Sequence, residues 1–350
     1  MQLYTECKID VNLYAKEESG GGMEEKKVSI VDVAKKSGVS TATVSRVVNQ
    51  LGGYSKETEK KVLKTIKEYG FRPNVNAIGL RTKRSHCVGV IVPDITNEFF
   101  AKIVRILDIF FIKYNYSVLI CDSNEDPELE ARHIQDMFDK NVDGLIYVSG
   151  MESISPILKN HKVPVVFIDR SPKDAEVIVQ SDNFQGGYLA AEYLLKKGHT
   201  RIGHIAGEQF TRQRTCGYLK ALKDYGIPID RSLVMQGDFS IESGYECGKR
   251  LLGLGVTAVF AGNDYMALGV WRAARELGLR IPEDVSLVGF DDDPVAVVMD
   301  VPLTTVRQPG TTLGKAASEM LVQKIEAERG TYQQYYFPPQ LIERSSAAAR

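Results

Sequence analysis

The chain has 350 residues, 43% hydrophobic and 25% charged, a composition that builds one or two sizeable cores and excludes a disordered chain. No apolar run approaches the ~20 residues that cross a bilayer, and the N-terminus lacks the basic-then-apolar pattern of an export signal, so a cytoplasmic protein with no membrane partner is expected. The formal net charge of −1 hides an asymmetry: residues 23–84 hold 14 Lys and Arg against 6 Asp and Glu, a net of +8, while residues 85–350 carry −7. One short segment therefore carries the positive field that a polyanion would meet.

Residues 1–22 show no periodicity and end in Ser19-Gly20-Gly21-Gly22 before Met23. Residues 1–26 read as a flexible leader, either a true tail or the product of a start upstream of Met23. From Val28 the pattern becomes helical. Ser29 and Asp32 have capping-box spacing, and Ile30, Val33 and Ala34 form one apolar stripe. Ser37-Gly38-Val39 breaks that first helix, and Ser40 is placed to cap a second helix through Val48. There Val44, Val47 and Val48 point inward, leaving Thr41, Ala42, Thr43, Ser45, Arg46 and Asn49 outward or at the edge. A small polar face of this kind fits the major groove, where Arg pairs with guanine and methyl groups meet thymine. A third helix is predicted from Ser55 to Tyr69, with Val62, Leu63 and Ile66 closing the core and Gly70 stopping it. Residues 27–71 are thus an all-α helix-turn-helix DNA-binding domain.

Residues 72–85 read as a hinge helix and linker. Pro73 and Asn74 open a short helix whose bulky apolar residue is Leu80, flanked by Arg81, Lys83 and Arg84. So short a helix is marginal alone and is expected to order against DNA and a partner copy. Leu80 then acts as a minor-groove wedge, or else it covers the core of the following domain; both readings stand.

From residue 86 the texture alternates between apolar strands and amphipathic helices. VGVIVP, SVLICD, GLIYVSG, VPVVFID, HIAG, TAVFAG and VSLVGFD recur with room for one helix between them, the mark of doubly wound parallel sheets. Two such units form a two-lobed α/β domain over 86–350, with a first lobe of about 86–182 and 309–334 and a second of about 183–308 and 335–350. Ligands of open parallel sheets bind beyond the strand carboxyl ends. There stand Asn97, Phe99 and Phe100, then Asp169 and Arg170, and later Asn263 and Asp291, with Arg214 on a helix after Gly207. This set of carboxylates, guanidinium groups, amides and aromatic faces suits a neutral, hydroxyl-rich ligand such as a sugar. The five cysteines and five histidines are scattered, and Asp291-Asp292-Asp293 lacks a His or Cys beside carboxylates that diverge, so no metal or other cofactor is expected. No nucleophile elbow or phosphate-cradling loop suggests an enzyme.

The run from Val28 to Asn49, the third helix and the Pro-Asn-x-x-Ala-x-x-Leu segment from Pro73 to Leu80 resemble the LacI/GalR family of bacterial repressors. The likeness extends to Leu341-Ile342-Glu343-Arg344-Ser345. It implies that Thr41, Ala42 and Arg46 read operator bases, that Ser40, Thr43, Ser45, Asn49 and Tyr54 hold phosphates, and that Leu80 is inserted twice at the centre of a palindromic operator by a homodimer. The body also resembles periplasmic sugar-binding proteins, with a ribose-like residue pattern. That likeness implies a ring held by Phe99, Phe100 and Phe239, with Asn97, Asp169, Arg170, Arg214, Asn263, Asp291 and Gln308 bonding its hydroxyls. The expectation is a repressor of carbohydrate genes switched by ribose or a similar aldose. Rival readings are a catabolite or purine-responsive regulator of the same family and a sugar receptor that does not bind DNA.

Overall fold

A computed structural model of the chain describes residues 28–48, 51–71, 84–148, 156–159, 161–169, 172, 175–207, 212–327 and 333–350. The chain divides into a head within residues 1–78 and a body within residues 79–350. The predicted leader and nearly all of the predicted hinge, Leu80 included, lie outside the described residues, as do Asn49 and Arg170.

The head contains α1 (Ile30–Ser37), α2 (Thr41–Val48) and α3 (Lys56–Tyr69). Ser29 and Asp32 form the predicted capping box on α1, and Gly38 ends that helix at φ +66°, a left-handed angle that costs glycine little. The Thr43 amide donates to Ser40 Oγ at 3.1 Å, capping α2, and the Thr58 amide does the same to Ser55 Oγ on α3. Val33, Ala34, Val44, Val47, Val62 and Phe71 make the core. Leu63, expected inside, is 49% exposed, and Thr65 is buried instead. Helical geometry explains this: position 63 is rotated about 100° from Val62, whereas positions 65 and 66 return to its face.

The body holds two six-stranded sheets. The first contains β1 (Cys87–Val92), β2 (Ser117–Asp122), β3 (Gly144–Tyr147), β4 (Val165–Ile168), β5 (Val177–Ser181) and β11 (Gln333–Phe337), in the order β11-β5-β4-β3-β1-β2. The second contains β6 (Ile202–Ala206), β7 (Val234–Gln236), β8 (Ala258–Ala261), β9 (Ser286–Asp291), β10 (Thr304–Arg307) and β12 (Gln340–Ile342), in the order β12-β10-β9-β8-β6-β7. All neighbours are parallel except β10 and β12. The strands predicted from apolar runs are all present; apart from the edge strand β2, which is half-exposed, they are almost wholly buried, as a sheet covered on both faces requires.

Helices α4 (Glu98–Lys113) and α12 (Gly310–Ala327) cover one face of the first sheet, and α5 (Pro127–Asp139) covers the other; a one-turn helix, α6 (Pro156–Lys159), adds Leu158 to that second core. In the second lobe α7 (Asn183–Lys196) and α8 (Arg212–Asp224) cover one face, α9 (Ile241–Gly253) and α10 (Asp264–Glu276) the other; the short α11 (Val295–Val298) follows β9. The chain passes between lobes after β5, after β10 and after β11. The last passage is a correction: β11 pairs with β5 as far as Phe337, so the lobe changes at Pro338-Pro339, beyond the expected residues 334–335. Two prolines without N–H donors end the ladder there.

Glycine seams tighten the second lobe. A Cβ on Gly187 would lie 2.0 Å from the Arg214 carbonyl oxygen, and one on Gly217 would lie 2.0 Å from that of Phe184. Helices α7 and α8 thus meet backbone to backbone, and the same holds for α9 and α10 at Gly244 and Gly269.

Candidate functional site

On the head, Thr41, Ala42 and Arg46 are exposed on one side of α2, opposite the buried Val44 and Val47. Ser40 is exposed and capping, its hydroxyl 2.9 Å from that of Thr43, while Thr43 and Ser45 are half-buried at the edge. Tyr54 packs partly against the head core. The Arg46 guanidinium lies over Gly53, where an added Cβ would come within 2.9 Å of it. The basic residues Lys35 and Lys36 occupy the last turn of α1. The exposed surface of α2 is therefore small and polar, with the Arg46 guanidinium at its edge.

In the body, a cleft of about 260 Å3 opens beyond the carboxyl ends of β1, β2 and β7. Pro93, Asp94, Asn97, Phe100, Asn124 and Glu125 line it from the first lobe, Asp238 and Phe239 from the second. Asn97 caps α4 by accepting the Phe99 amide through Oδ1 at 3.0 Å, which leaves its amide nitrogen as the donor end. Phe99 and Phe100 meet edge to face at 5.3 Å, both in the first-lobe core; of the two, Phe100 reaches the cleft lining.

The second-lobe residues form a connected polar group. Arg214 Nε donates to Asn183 Oδ1 at 2.7 Å and Nη1 to the Gly262 carbonyl at 2.6 Å, while its plane lies 3.7 Å over the Phe290 ring. The remaining guanidinium nitrogen faces Asp291 at 3.8 Å. Gln308 Nε2 donates to the same Asp291 carboxylate at 2.7 Å, and among the described residues its buried Oε1 finds no hydrogen-bond partner. Asn263 caps α10 through Oδ1 and donates from Nδ2 to the Phe239 carbonyl at 3.1 Å. Asp169 follows β4, half-buried, its amide donating to the Val179 carbonyl. Asp169, Phe239 and Asp291 all have positive φ, at +60°, +69° and +103°. Such angles disfavour side-chain-bearing residues and persist where the surroundings hold them, as ligand sites do.

Behind this group lies buried acid. Asp264 Oδ1 accepts from Thr305 Oγ1 at 2.6 Å and its Oδ2 from the Asp293 amide at 2.8 Å. Burial, and then the nearby Asp291 carboxylate, push Asp264 well above the ordinary carboxylate range. Asp292 behaves otherwise: burial works against its charge, but Arg344 and Arg307, bonded at 2.5 and 2.6 Å, hold it below the usual value. The three consecutive aspartates thus serve three different partners, and among the described residues no group of ligating side chains could hold a metal ion. His199 and His204 are built into the second lobe. His199 bonds Thr257, Ser286 and the Ala348 carbonyl, and His204 stacks on Tyr218 and Phe260.

Sequence reasoning missed Asp94, Asn124, Glu125 and Asp238 as lining residues. Their signal was positional, since each lies just past a strand end. Among the described residues, no helix is long and apolar enough to cross a membrane.

Comparison with known proteins agrees with both parts. Residues 29–74 match the bacterial regulatory proteins of the lacI family, and residues 191–347 match a periplasmic binding protein-like domain. The chain is 36% identical over 335 residues to the HTH-type transcriptional regulator DegA of Bacillus subtilis, covering 92% of this chain and 98% of that protein. It is 35% identical over 326 residues to the ribose operon repressor of Escherichia coli K12, covering 90% and 98%. Among solved structures, a lac repressor dimer bound to operator and the anti-inducer ONPF superposes with a TM-score of 0.84 at 30% identity, covering 93% of this chain and all of that one. The chain belongs to the LacI family of bacterial transcriptional regulators.

Proposed function

We propose that this regulator acts in the cytoplasm as a homodimeric repressor of carbohydrate uptake or catabolism genes, and that its effector is D-ribose or a close aldose. Residues Thr41, Ala42 and Arg46 read operator bases, with Ser40, Thr43, Ser45, Asn49 and Tyr54 on phosphates and Leu80 at the centre of the palindrome. Asn97, Phe100 and Phe239, which line the cleft, form the effector site together with Phe99, Asp169, Arg170, Arg214, Asn263, Asp291 and Gln308. The observation that carries the reading is the Arg214–Asp291–Gln308 group, a buried guanidinium and carboxylate beside an amide oxygen that still accepts. Vicinal hydroxyls both donate and accept, so they complete such a group without bringing charge. Asp94, Glu125 and Asp238 at the cleft further favour a neutral ligand over a phosphorylated one.

The cleft acts as a receptor site, not a catalytic centre. The raised carboxyl groups behind it are committed elsewhere, Asp264 to Thr305 and the Asp293 amide, and Asp293 to Lys102. A homodimer is supported by apolar side chains left in solvent: Ile109, Ile112 and Tyr114 at the end of α4, Ile120 on the edge strand β2, and Val297 and Val298 on the second lobe. The effector shifts the balance between lobe arrangements and so the geometry of the paired DNA-binding heads.

Thermal unfolding of the full chain with a panel of aldoses and purines tests this. D-ribose at about 100 times its dissociation constant adds about 2.7 kcal/mol, a rise of several degrees, and purines add nothing. A purine-only shift, or none with any aldose, refutes the sugar assignment.

A further inference from the structure

Lys102 lies on α4 of the first lobe, one turn beyond Phe99, and its ammonium reaches 3.3 Å from Asp293 Oδ1 in the loop after β9 of the second lobe. The partners differ sharply in setting: the Lys102 side chain is 48% exposed and that of Asp293 only 1%. Asp293 is fixed by its own lobe, its amide donating to Asp264 Oδ2 and its carbonyl accepting from the Ala296 amide at 2.9 Å. Its carboxylate is not satisfied there. Among the described residues, Oδ2 has no hydrogen-bond partner. Arg307 and Arg344 are engaged by the neighbouring Asp292.

Lys102 has a second carboxylate within reach. Glu98, one turn earlier on the same helix, lies 3.8 Å away as an exposed pair. One ammonium thus stands between a carboxylate of its own lobe and a buried one across the cleft, which is a two-state element.

We propose that Lys102 and Asp293 form an inter-lobe latch that favours the closed cleft and thereby sets effector affinity. Opening returns Lys102 to Glu98 in water at little cost, but leaves a buried carboxylate without its counter-charge. The groups facing Asp293 are Lys102, Glu98, Asp264, Asp291 and Tyr265, so apart from Lys102 its titratable surroundings oppose the charge. Burial first, and then Asp291, push the Asp293 carboxyl up to about 7, with Lys102 pulling against them. The latch is therefore charged above about pH 7 and weakens as pH falls through that value.

The affinity part of this inference rests on the cleft being the effector site; the closure part does not, and the two are read separately. Hydrogen–deuterium exchange of the ligand-free full chain, corrected for intrinsic rates, follows cleft segments 94–101 and 237–241. Lys102→Met and Asp293→Asn should each speed exchange several-fold, the double variant should add nothing to either single one, and Glu98→Gln should slow it. Wild-type exchange in both single variants, or full additivity in the double, overturns the latch. Calorimetry with D-ribose should then show about tenfold weaker binding for Lys102→Met at pH 8 and a smaller loss at pH 6. Equal affinity of wild type and Lys102→Met at pH 8 overturns it as well. Failure of D-ribose to bind wild type removes the ribose assignment, and the exchange result alone then decides the latch.

Discussion

Each lobe of the body runs its strands in the same spatial order, yet their buried polar content differs. Among the described residues, Arg214, Asp264 and Asp293 are buried in the second lobe, while Glu130 is the buried charged type of the first. The first lobe brings to the cleft an aromatic ring, Phe100, and amide donors such as Asn97. One topology therefore serves two tasks. In the proposed site the second lobe supplies a buried polar group, braced by glycine seams that fix Arg214 against Asn183, and the first lobe supplies one ring among the polar side chains Asp94, Asn97, Asn124 and Glu125.

This contrast breaks first at the seams. Gly217→Ala drives a Cβ to 2.0 Å from a backbone oxygen, which cannot yield, so urea unfolding should show a loss of about 3 kcal/mol or more. In the first lobe Gly314→Ala meets the Ile106 side chain, Cγ2 at 2.9 Å and Cβ at 3.1 Å, with the nearest backbone oxygen 3.7 Å away, and should cost about 1 kcal/mol. Equal costs would show that the seams are not what stiffens the second lobe.

Arg214→Met should follow closely. It leaves Asp291 without its buried cation, an expected loss of about 3 kcal/mol in stability by denaturant titration, and it abolishes sugar binding in calorimetry. Asn97→Ala, its counterpart across the cleft, removes a helix cap for about 1 kcal/mol and weakens binding without abolishing it.

Acid sharpens the comparison further. Burial holds the His204 imidazole down to about 4, below its ordinary value of 6.5, so the unfolded chain takes up a proton that the fold refuses. Stability of the second lobe should fall as pH drops from 6.5 towards 4, by about 3 kcal/mol at the limit. The gap between wild type and His204→Asn should narrow by that amount over the same range. A constant gap would mean that His204 is not the group titrating. The smallest effect belongs to the head, where Ser55→Ala should cost about 1 kcal/mol of head stability, followed by head-specific amide exchange, with sugar binding unchanged.

The head was legible in sequence because its determinants are local: caps at Ser29, Ser40 and Ser55, left-handed glycines at 38 and 70, and valines on one face. Its one error, Leu63, came from reading an apolar residue as a buried one when the helical angle said otherwise. In the body, strands buried on both faces announced themselves as apolar runs, whereas β5, β7, β10, β11 and β12 were not singled out. The short β7 and the half-exposed β11 and β12 lack such runs. Of the cleft's lining residues, Asn97, Phe100 and Phe239 became visible through likeness to sugar-binding proteins, whereas Asp94, Asn124, Glu125 and Asp238 carried only their place after strand ends. The Lys102–Asp293 contact had no sequence signal, since it joins residues 191 positions apart through the packing of two lobes.

The most direct test of the whole account is operator affinity read against effector. A palindromic site selected from random DNA by the full chain is labelled, and binding is followed by fluorescence anisotropy with and without D-ribose, for wild type and for Arg46→Ala. The account predicts that D-ribose changes the operator Kd by about 5–150-fold and that Arg46→Ala weakens binding by about 1–3 kcal/mol. Identical binding curves with D-ribose and every other aldose, and an Arg46→Ala variant as tight as wild type, would contradict it.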